Sequence, residues 1–88
     1  MSKPSTNFAM YYVYVLRSKA DNQLYYGYTN NIERRFAEHN IDFEWDLIYY
    51  EAFFSEKDAR LRERKLKDYG QSRTHLKNRI QHSLKRQN

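Results

Sequence analysis

Aromatic and β-branched residues crowd the first third of the chain, and a helical spacing of apolar positions follows. "MYYVYVLRS" (10–18) is dense in aromatic and β-branched residues and predicts a strand. "ADN" (20–22) has turn chemistry, and "QLYYGYT" (23–29) predicts a second strand, so the two make a hairpin. A four-residue loop at 18–21 would pair Arg17 with Asn22 and set Tyr14 opposite Tyr25. From residue 31 the period becomes 3.6: Ile32, Arg35, Phe36 and His39 fall at i, i+3, i+4 and i+7. Asn30 as N-cap, with Glu33 three residues on, predicts a helix over about 31–40. "IDFEWDLIYYEAFF" (41–54) holds a short connection and a third strand at 46–53. Ser55 with Asp58 opens a second helix over 56–69, ended near Gly70 by a left-handed cap. Ser72 caps a third helix to about Leu84, with Leu76, Ile80 and Leu84 facing inward. The order ββαβαα, three strands with helices packed on the sheet, predicts a small α/β domain.

Two of the helical stripes carry residues that a dry face should not hold. In the first helix they are Arg35 and His39. In the second, Ala59, Arg62, Glu63 and Leu66 form the stripe, while Lys57, Arg64 and Asp68 lie opposite with Leu61 among them. Glu63 sits between an alanine and a leucine, where an ionised carboxylate is costly unless a positive group meets it. Two explanations stand at this point: a structural ion pair with Arg35 or Arg62, or a catalytic or metal-binding role. The hairpin adds a pair of phenols, Tyr14 and Tyr25, which is equally an ordinary aromatic cross-strand pair. Gly27 interrupts a strand pattern, which marks a bulge or the close approach of another group.

Composition narrows the classes. Eighty-eight residues suit one domain with a modest core. With no cysteine there is neither a disulfide nor a zinc–thiolate site, and a reducing cytoplasm is the expected location. No apolar run approaches the ~20 residues of a membrane span, so no membrane partner is expected, and "MSKPSTNF" lacks an apolar signal core. Residues 57–88 hold 11 Lys/Arg against 3 Asp/Glu, whereas residues 1–56 hold 5 against 8. A basic C-terminal half suits a phosphate-backbone partner, although a solvated helix surface would look the same. Nine Tyr and five Phe exceed what so small a core needs, and some are candidates to stack on bases.

"YVY" (12–14), "YYG" (25–27) and the run G-x-T-x-x-I-x-x-R-x-x-x-H from Gly27 to His39 resemble the GIY-YIG nuclease superfamily. "LIYYEAFFSEKDARLRERKLKDYG" (47–70) is similar to the third strand and glutamate-bearing helix of its small single-domain bacterial members. The resemblance implies an α+β domain over 11–85, a three-stranded antiparallel sheet flanked by helices, between a flexible N-terminus (1–10) and a short tail (86–88). It also implies metal-dependent cleavage of phosphodiester bonds. Position by position, Tyr14 ends the first triplet, Tyr25 opens the second, Arg35 is the catalytic arginine, His39 follows four residues on, and Glu63 is the metal-binding glutamate. Gly27, Arg34, Arg62, Lys65 and Asn78 are the candidate nucleic-acid contacts, Asn78 standing for a polar residue contributed after the glutamate helix. Tyr12 replaces the first glycine of the pattern and Tyr26 its isoleucine. About six residues separate His39 from the third strand, where such relatives carry a longer, basic connection.

The implied chemistry is a single-metal hydrolysis of DNA, double-stranded or branched, in a setting such as DNA repair or recombination. Magnesium (Mg²⁺) or manganese (Mn²⁺) on Glu63 would be completed by water and phosphate, since Mg²⁺ takes six oxygens and needs only one or two carboxylates. Arg35 offers a fork to the non-bridging phosphate oxygens. Tyr14 is the expected general base, its phenol drawn toward phenolate by Arg35 or the metal, with Tyr25 or His39 aligning the water or relaying its proton. The alternative is a non-catalytic nucleic-acid-binding module that keeps the nuclease fold.

Overall fold

The computed structural model describes residues 9–85. The N-terminal segment expected to be flexible (1–10) lies outside them except for Ala9 and Met10, as does the tail 86–88. The elements are β1 (Tyr11–Ser18), β2 (Leu24–Thr29), α1 (Ile32–His39), β3 (Trp45–Phe53), α2 (Glu56–Asp68), α3 (Gly70–Arg79) and α4 (Gln81–Leu84). The sheet order is β2-β1-β3 with both pairings antiparallel, the expected α+β architecture.

β1 is the central strand, and its side chains divide the molecule. Val13 and Val15 point to one face and join Ala59, Leu66, Leu76 and Ile80 in the core beneath α2 to α4. Tyr14 and Leu16 point to the other face and are equally buried, 2% and 0% exposed. The burial of Ala59, Leu66, Leu76 and Ile80, and of Ile32, Arg35, Phe36 and His39 in part, follows the helical stripes read from spacing. Leu84 packs on the same core, and Leu61 is left exposed.

Six local expectations are corrected. Helix α1 is capped by Asn31, not Asn30: the Asn31 carboxamide accepts from Arg34 N at 3.1 Å. Thr29 causes the shift, because its hydroxyl oxygen accepts from Asn31 N at 3.0 Å and carries the turn one residue further. Asn31 then has Arg34, not Glu33, three residues on, so the capping box is lost. The hairpin register also moves. Its four-residue loop is 19–22, closed by Ser18 N donating to Gln23 O at 2.8 Å, so Arg17 pairs with Leu24 and Tyr14 with Gly27. The last loop position, Asn22, has φ 63°, a conformation that asparagine adopts more readily than most residues.

At the end of α2 there is no left-handed cap. Tyr69 is extended, no glycine among the described residues has positive φ, and Gly70 begins α3 instead. Arg73 supplies what a cap would: its Nη1 donates to Leu66 O at 2.7 Å and Lys67 O at 2.9 Å, satisfying two carbonyls of the last turn of α2. Ser72 therefore lies inside α3 and does not cap it. The last helix is also divided, at Ile80 (φ −111°, ψ 29°), into α3 and α4.

Candidate active site

The face of the sheet opposite the aliphatic core is built around one phenol. Tyr14 is buried because it stands on the central strand and its cross-strand partner is Gly27. A Cβ on Gly27 would fall on Cζ and Oη of the Tyr14 ring, so only glycine leaves room for the phenol. This is a different part from the nucleic-acid contact expected of Gly27, which is itself buried. The ring lies against Tyr25 with centroids 6.2 Å apart, although Tyr25 pairs with Leu16 and is diagonal to Tyr14. The register moved by two residues, an even number, so both phenols stay on one face.

α1 delivers the polar partners. Arg35 and His39 are one helical turn apart on its inward stripe. Arg35 Nε donates to Tyr14 Oη at 3.3 Å, and Tyr14 Oη lies 3.0 Å from His39 Nε2. Glu38 steadies the guanidinium by accepting from Arg35 Nη1 at 3.1 Å. The Arg35 pKa is raised, first by its bond to Tyr14 and then by that to Glu38. His39 is held below its ordinary 6.5, first by burial and then by the neighbouring Arg35 charge. It is therefore neutral at pH 7, with Tyr14 O–H donating to Nε2 as the arrangement consistent with that state. Burial raises the Tyr14 pKa, opposed by the Arg35 hydrogen bond and reinforced by the Tyr25 and Glu63 charges. The protein's own groups thus keep Tyr14 a neutral phenol with a proton acceptor already in place, and Arg35 by itself does not draw it to phenolate.

Three further residues complete the surroundings. Trp45 packs on His39 at 6.2 Å and on Tyr25 at 6.1 Å, centroid to centroid. It arrives there because only residues 40–44 separate α1 from β3. Asn40 fastens that connection: its Nδ2 donates to Phe36 O at 3.0 Å, and its Oδ1 accepts from Trp45 N at 2.9 Å. Glu63 carries the second surprise of the sequence. Its partner is neither Arg35 nor Arg62 but Lys67, 3.1 Å away and one turn along α2. The Lys67 ammonium also stands 5.9 Å from the centre of the Tyr25 ring, tying Glu63 to the edge of the cluster. Sequence reasoning missed Trp45, Glu38 and Lys67. The last two were visible as i+3 and i+4 partners of Arg35 and Glu63.

The other candidates separate. Arg62 is the mate of Glu51 on β3, with Nε at 3.0 Å and 3.1 Å from the two carboxylate oxygens and Nη2 at 2.9 Å from Oε2. That half-buried fork ties Nε and Nη2 of Arg62 to β3. Lys65 and Asn78 are exposed, and no hydrogen bond links either to the cluster among the described residues. Arg34 is exposed and lines a cavity of about 320 Å³ with Arg35, Glu38, Glu56 and Arg60. Arg60 lies over the Tyr28 ring at 4.3 Å from its centre.

Of the carboxylates around the cluster, Glu38 is bonded to Arg35 and Glu63 is the candidate metal ligand. No group of three or more His, Asp or Glu side chains among the described residues is placed to hold a cation. Glu63, with its side chain 21% exposed, fits an ion that brings its own waters and a substrate phosphate, as Mg²⁺ does, better than one requiring a protein cage.

The chain matches the family model described as the GIY-YIG catalytic domain over residues 10–81. It is 39% identical over 70 residues to a UPF0213 protein of Staphylococcus haemolyticus, covering 69% of this chain and 84% of that one. It is likewise 39% identical over 74 residues to a UPF0213 protein of Natronomonas pharaonis, covering 74% and 86%. A UPF0213 protein of Clostridium perfringens is 38% identical over 63 residues, 61% of this chain and 67% of that one. The names of these relatives carry no activity. No solved structure matches.

Proposed function

Because the chain belongs to the GIY-YIG catalytic domain family, a nuclease family, we propose that it is an endonuclease hydrolysing phosphodiester bonds of DNA at the Tyr14–Arg35–His39 cluster, with Glu63 holding Mg²⁺ or Mn²⁺. The observation that carries this reading is the environment of one atom. Tyr14 Oη is buried and shared between a guanidinium at 3.3 Å and a neutral imidazole at 3.0 Å. A structural tyrosine needs one partner; a phenol that passes a proton needs an acceptor on one side and a positive group on the other.

Hydrolysis requires a water to lose a proton as it attacks phosphorus. Tyr14 takes that proton at Oη while giving its own to His39 Nε2, so no free phenolate accumulates and the raised pKa of Tyr14 is no obstacle. Arg35 stabilises negative charge building on Oη in the same step and presents its remaining N–H groups to the non-bridging phosphate oxygens. Glu38 keeps the guanidinium from swinging into solvent, and Tyr25 with Trp45 walls the imidazole from bulk water. Glu63 would hold the divalent cation, whose Lewis acidity neutralises phosphoryl charge and eases departure of the leaving oxygen. Arg34 and the exposed cations of α2, Lys65 among them, supply the salt-sensitive attraction for the duplex or branched backbone.

The ion pair of Glu63 with Lys67 is the observation that favours the other reading, a nucleic-acid-binding module in which the lysine has replaced the metal. Nicking of supercoiled plasmid with Mg²⁺, with Mn²⁺ and with EDTA separates the two. The endonuclease reading expects nicking with either metal and none in EDTA. Binding without nicking in every buffer would establish the module instead.

A further inference from the structure

A second cationic concavity lies away from Tyr14, on the helix-covered side of the sheet. Along β2, Tyr25 and Gly27 face the cluster, whereas Leu24 and Tyr26 face the opposite side. There, between the hairpin turn, α3 and α4, is a cavity of about 600 Å³ whose lining includes Leu24, Tyr26 and Leu84 together with Arg17, Arg73 and Lys77. No acidic residue lines it. Its volume is that of a small-molecule site.

The charges in this cleft are unequally answered. Arg17 is paired with Asp46 at 3.2 Å and donates to Leu84 O at 2.9 Å, which settles both its charge and its position. Arg73 bonds only backbone carbonyls, those of Leu66 and Lys67, so its position is fixed while its charge is met by no carboxylate among the described residues. Lys77 forms no ion pair among the described residues. Tyr26 adds an independent signal: its hydroxyl is buried and is the one buried side-chain polar atom without a hydrogen-bond partner among the described residues. A buried donor left unpaired is uncommon enough to require a cause. Fixed guanidinium, unpaired ammonium and unused O–H donor belong to one cleft, and a multiply charged oxyanion answers all three.

The apolar lining narrows the anion. Leu24, Leu84 and Tyr26 pack on the core and line the cleft beside the charges, an apolar wall that inorganic phosphate alone would leave uncovered. We propose that this cleft binds a nucleoside monophosphate unit, with its phosphate on Lys77, Arg73 and the Tyr26 hydroxyl and its base against the Tyr26 ring. The unit is either a free nucleotide or the phosphorylated end of a strand, which share that chemistry. Nothing in the inference uses the catalytic reading, because the cleft is across the sheet from Tyr14 and needs no metal.

Calorimetric titration in EDTA tests it with three probes: a deoxynucleoside monophosphate, inorganic phosphate, and a short oligonucleotide carrying or lacking a 5′-phosphate. Lys77→Glu, at an exposed position, should weaken the nucleotide at least tenfold with an unchanged melting temperature. Tyr26→Phe, which removes only the unpaired hydroxyl, should weaken it about threefold without loss of stability. Glu63→Gln, in the other site, should leave it unchanged. Tighter binding of the phosphorylated oligonucleotide than of its unphosphorylated counterpart, with the difference lost in Lys77→Glu, identifies a strand end as the source, and equal binding of the two oligonucleotides beside a bound mononucleotide identifies a free nucleotide. No binding of any probe, equal binding by Lys77→Glu, or inorganic phosphate binding as tightly as the nucleotide would overturn the proposal. Plasmid nicking, read separately, is indifferent to all of these outcomes.

Discussion

Helices α1 and α2 carry the same anomaly and resolve it in opposite ways. Each places charged side chains on an otherwise apolar stripe, and in each the stripe is partly buried as the spacing requires. On α1, Arg35 and His39 meet at a single phenol oxygen, and the Arg35 pair with Glu38 uses Nη1 and leaves Nε on that oxygen. On α2, Arg62 is locked by a bidentate fork to Glu51, while Glu63 is held by a lysine from its own helix. A charge on a dry stripe is therefore not itself a sign of chemistry. What decides is whether its partner is another fixed charge or a group able to exchange a proton or a ligand.

The sharpest way to break this comparison is to remove the atom on which α1 converges. Tyr14→Phe should lower plasmid nicking by about 10³-fold, roughly 4 kcal/mol of transition-state stabilisation. Its melting temperature should fall by only the few degrees expected when one buried hydrogen-bond partner is lost. A variant that melts far lower but nicks normally would make the phenol a structural post.

The next test sets Glu63 against Arg62 on the same helix. Glu63→Gln should reduce nicking at least ~10²-fold, about 2.7 kcal/mol. The Glu63–Lys67 pair lies within one helix and its lysine is half-exposed, so it contributes little to the fold and stability should stay within about 0.5 kcal/mol of the parent. Arg62→Ala should do the converse. It strands the Glu51 carboxylate, 18% exposed, at a cost of about 2 kcal/mol by chemical denaturation, discounted from the full buried-pair figure for solvent access. Nicking by the folded fraction should remain within a few-fold of the parent. If the two variants exchanged phenotypes, the assignment of the α2 stripe would be inverted.

The smallest effect is in the pH response of α1. Burial holds the His39 pKa below 6.5 in the folded protein, so the unfolded chain takes up this proton first as pH falls. Stability should thus decline as pH drops below about 6.5, and level off below the folded-state pKa. Nicking should persist below pH 6.5 and fail only once His39 itself is protonated, because an imidazolium cannot accept from Tyr14. His39→Gln should flatten that part of the stability profile. An unchanged slope would place the acid-sensitive group elsewhere.

Much of this was legible before any coordinates. Strand and helix periods, the inward stripes of α1 and α2, and the succession of elements follow from side-chain spacing, which is a local property of the chain. So do the residues that carry the family pattern, because Arg35 and His39 were conspicuous for standing where apolar side chains belong. Partner choice was not legible. Glu63 was open to pairing with Arg35 or Arg62, and only the packing of α2 against the sheet turns Arg62 toward Glu51 and leaves Glu63 to the lysine of its own helix. Likewise Gly27 announced a close approach without saying that the approaching group is the Tyr14 ring.

The clearest division between the two sources of information lies in β3. Its run of β-branched and aromatic residues, Ile48, Tyr49 and Tyr50, suits a strand there, since that preference needs no knowledge of the partner. It did not determine which face Trp45 would occupy. The pairing with β1 slips between Val15, opposite Tyr49, and Leu16, opposite Leu47, leaving Ile48 as an extra residue. Beyond that bulge the faces exchange, so Tyr50 and Trp45, five residues apart, both stand on the Tyr14 side. The sequence by itself determined the elements, because they depend on spacing along one chain. The tertiary structure decided the site, because one unpaired residue in a ladder turns every side chain beyond it to the other face.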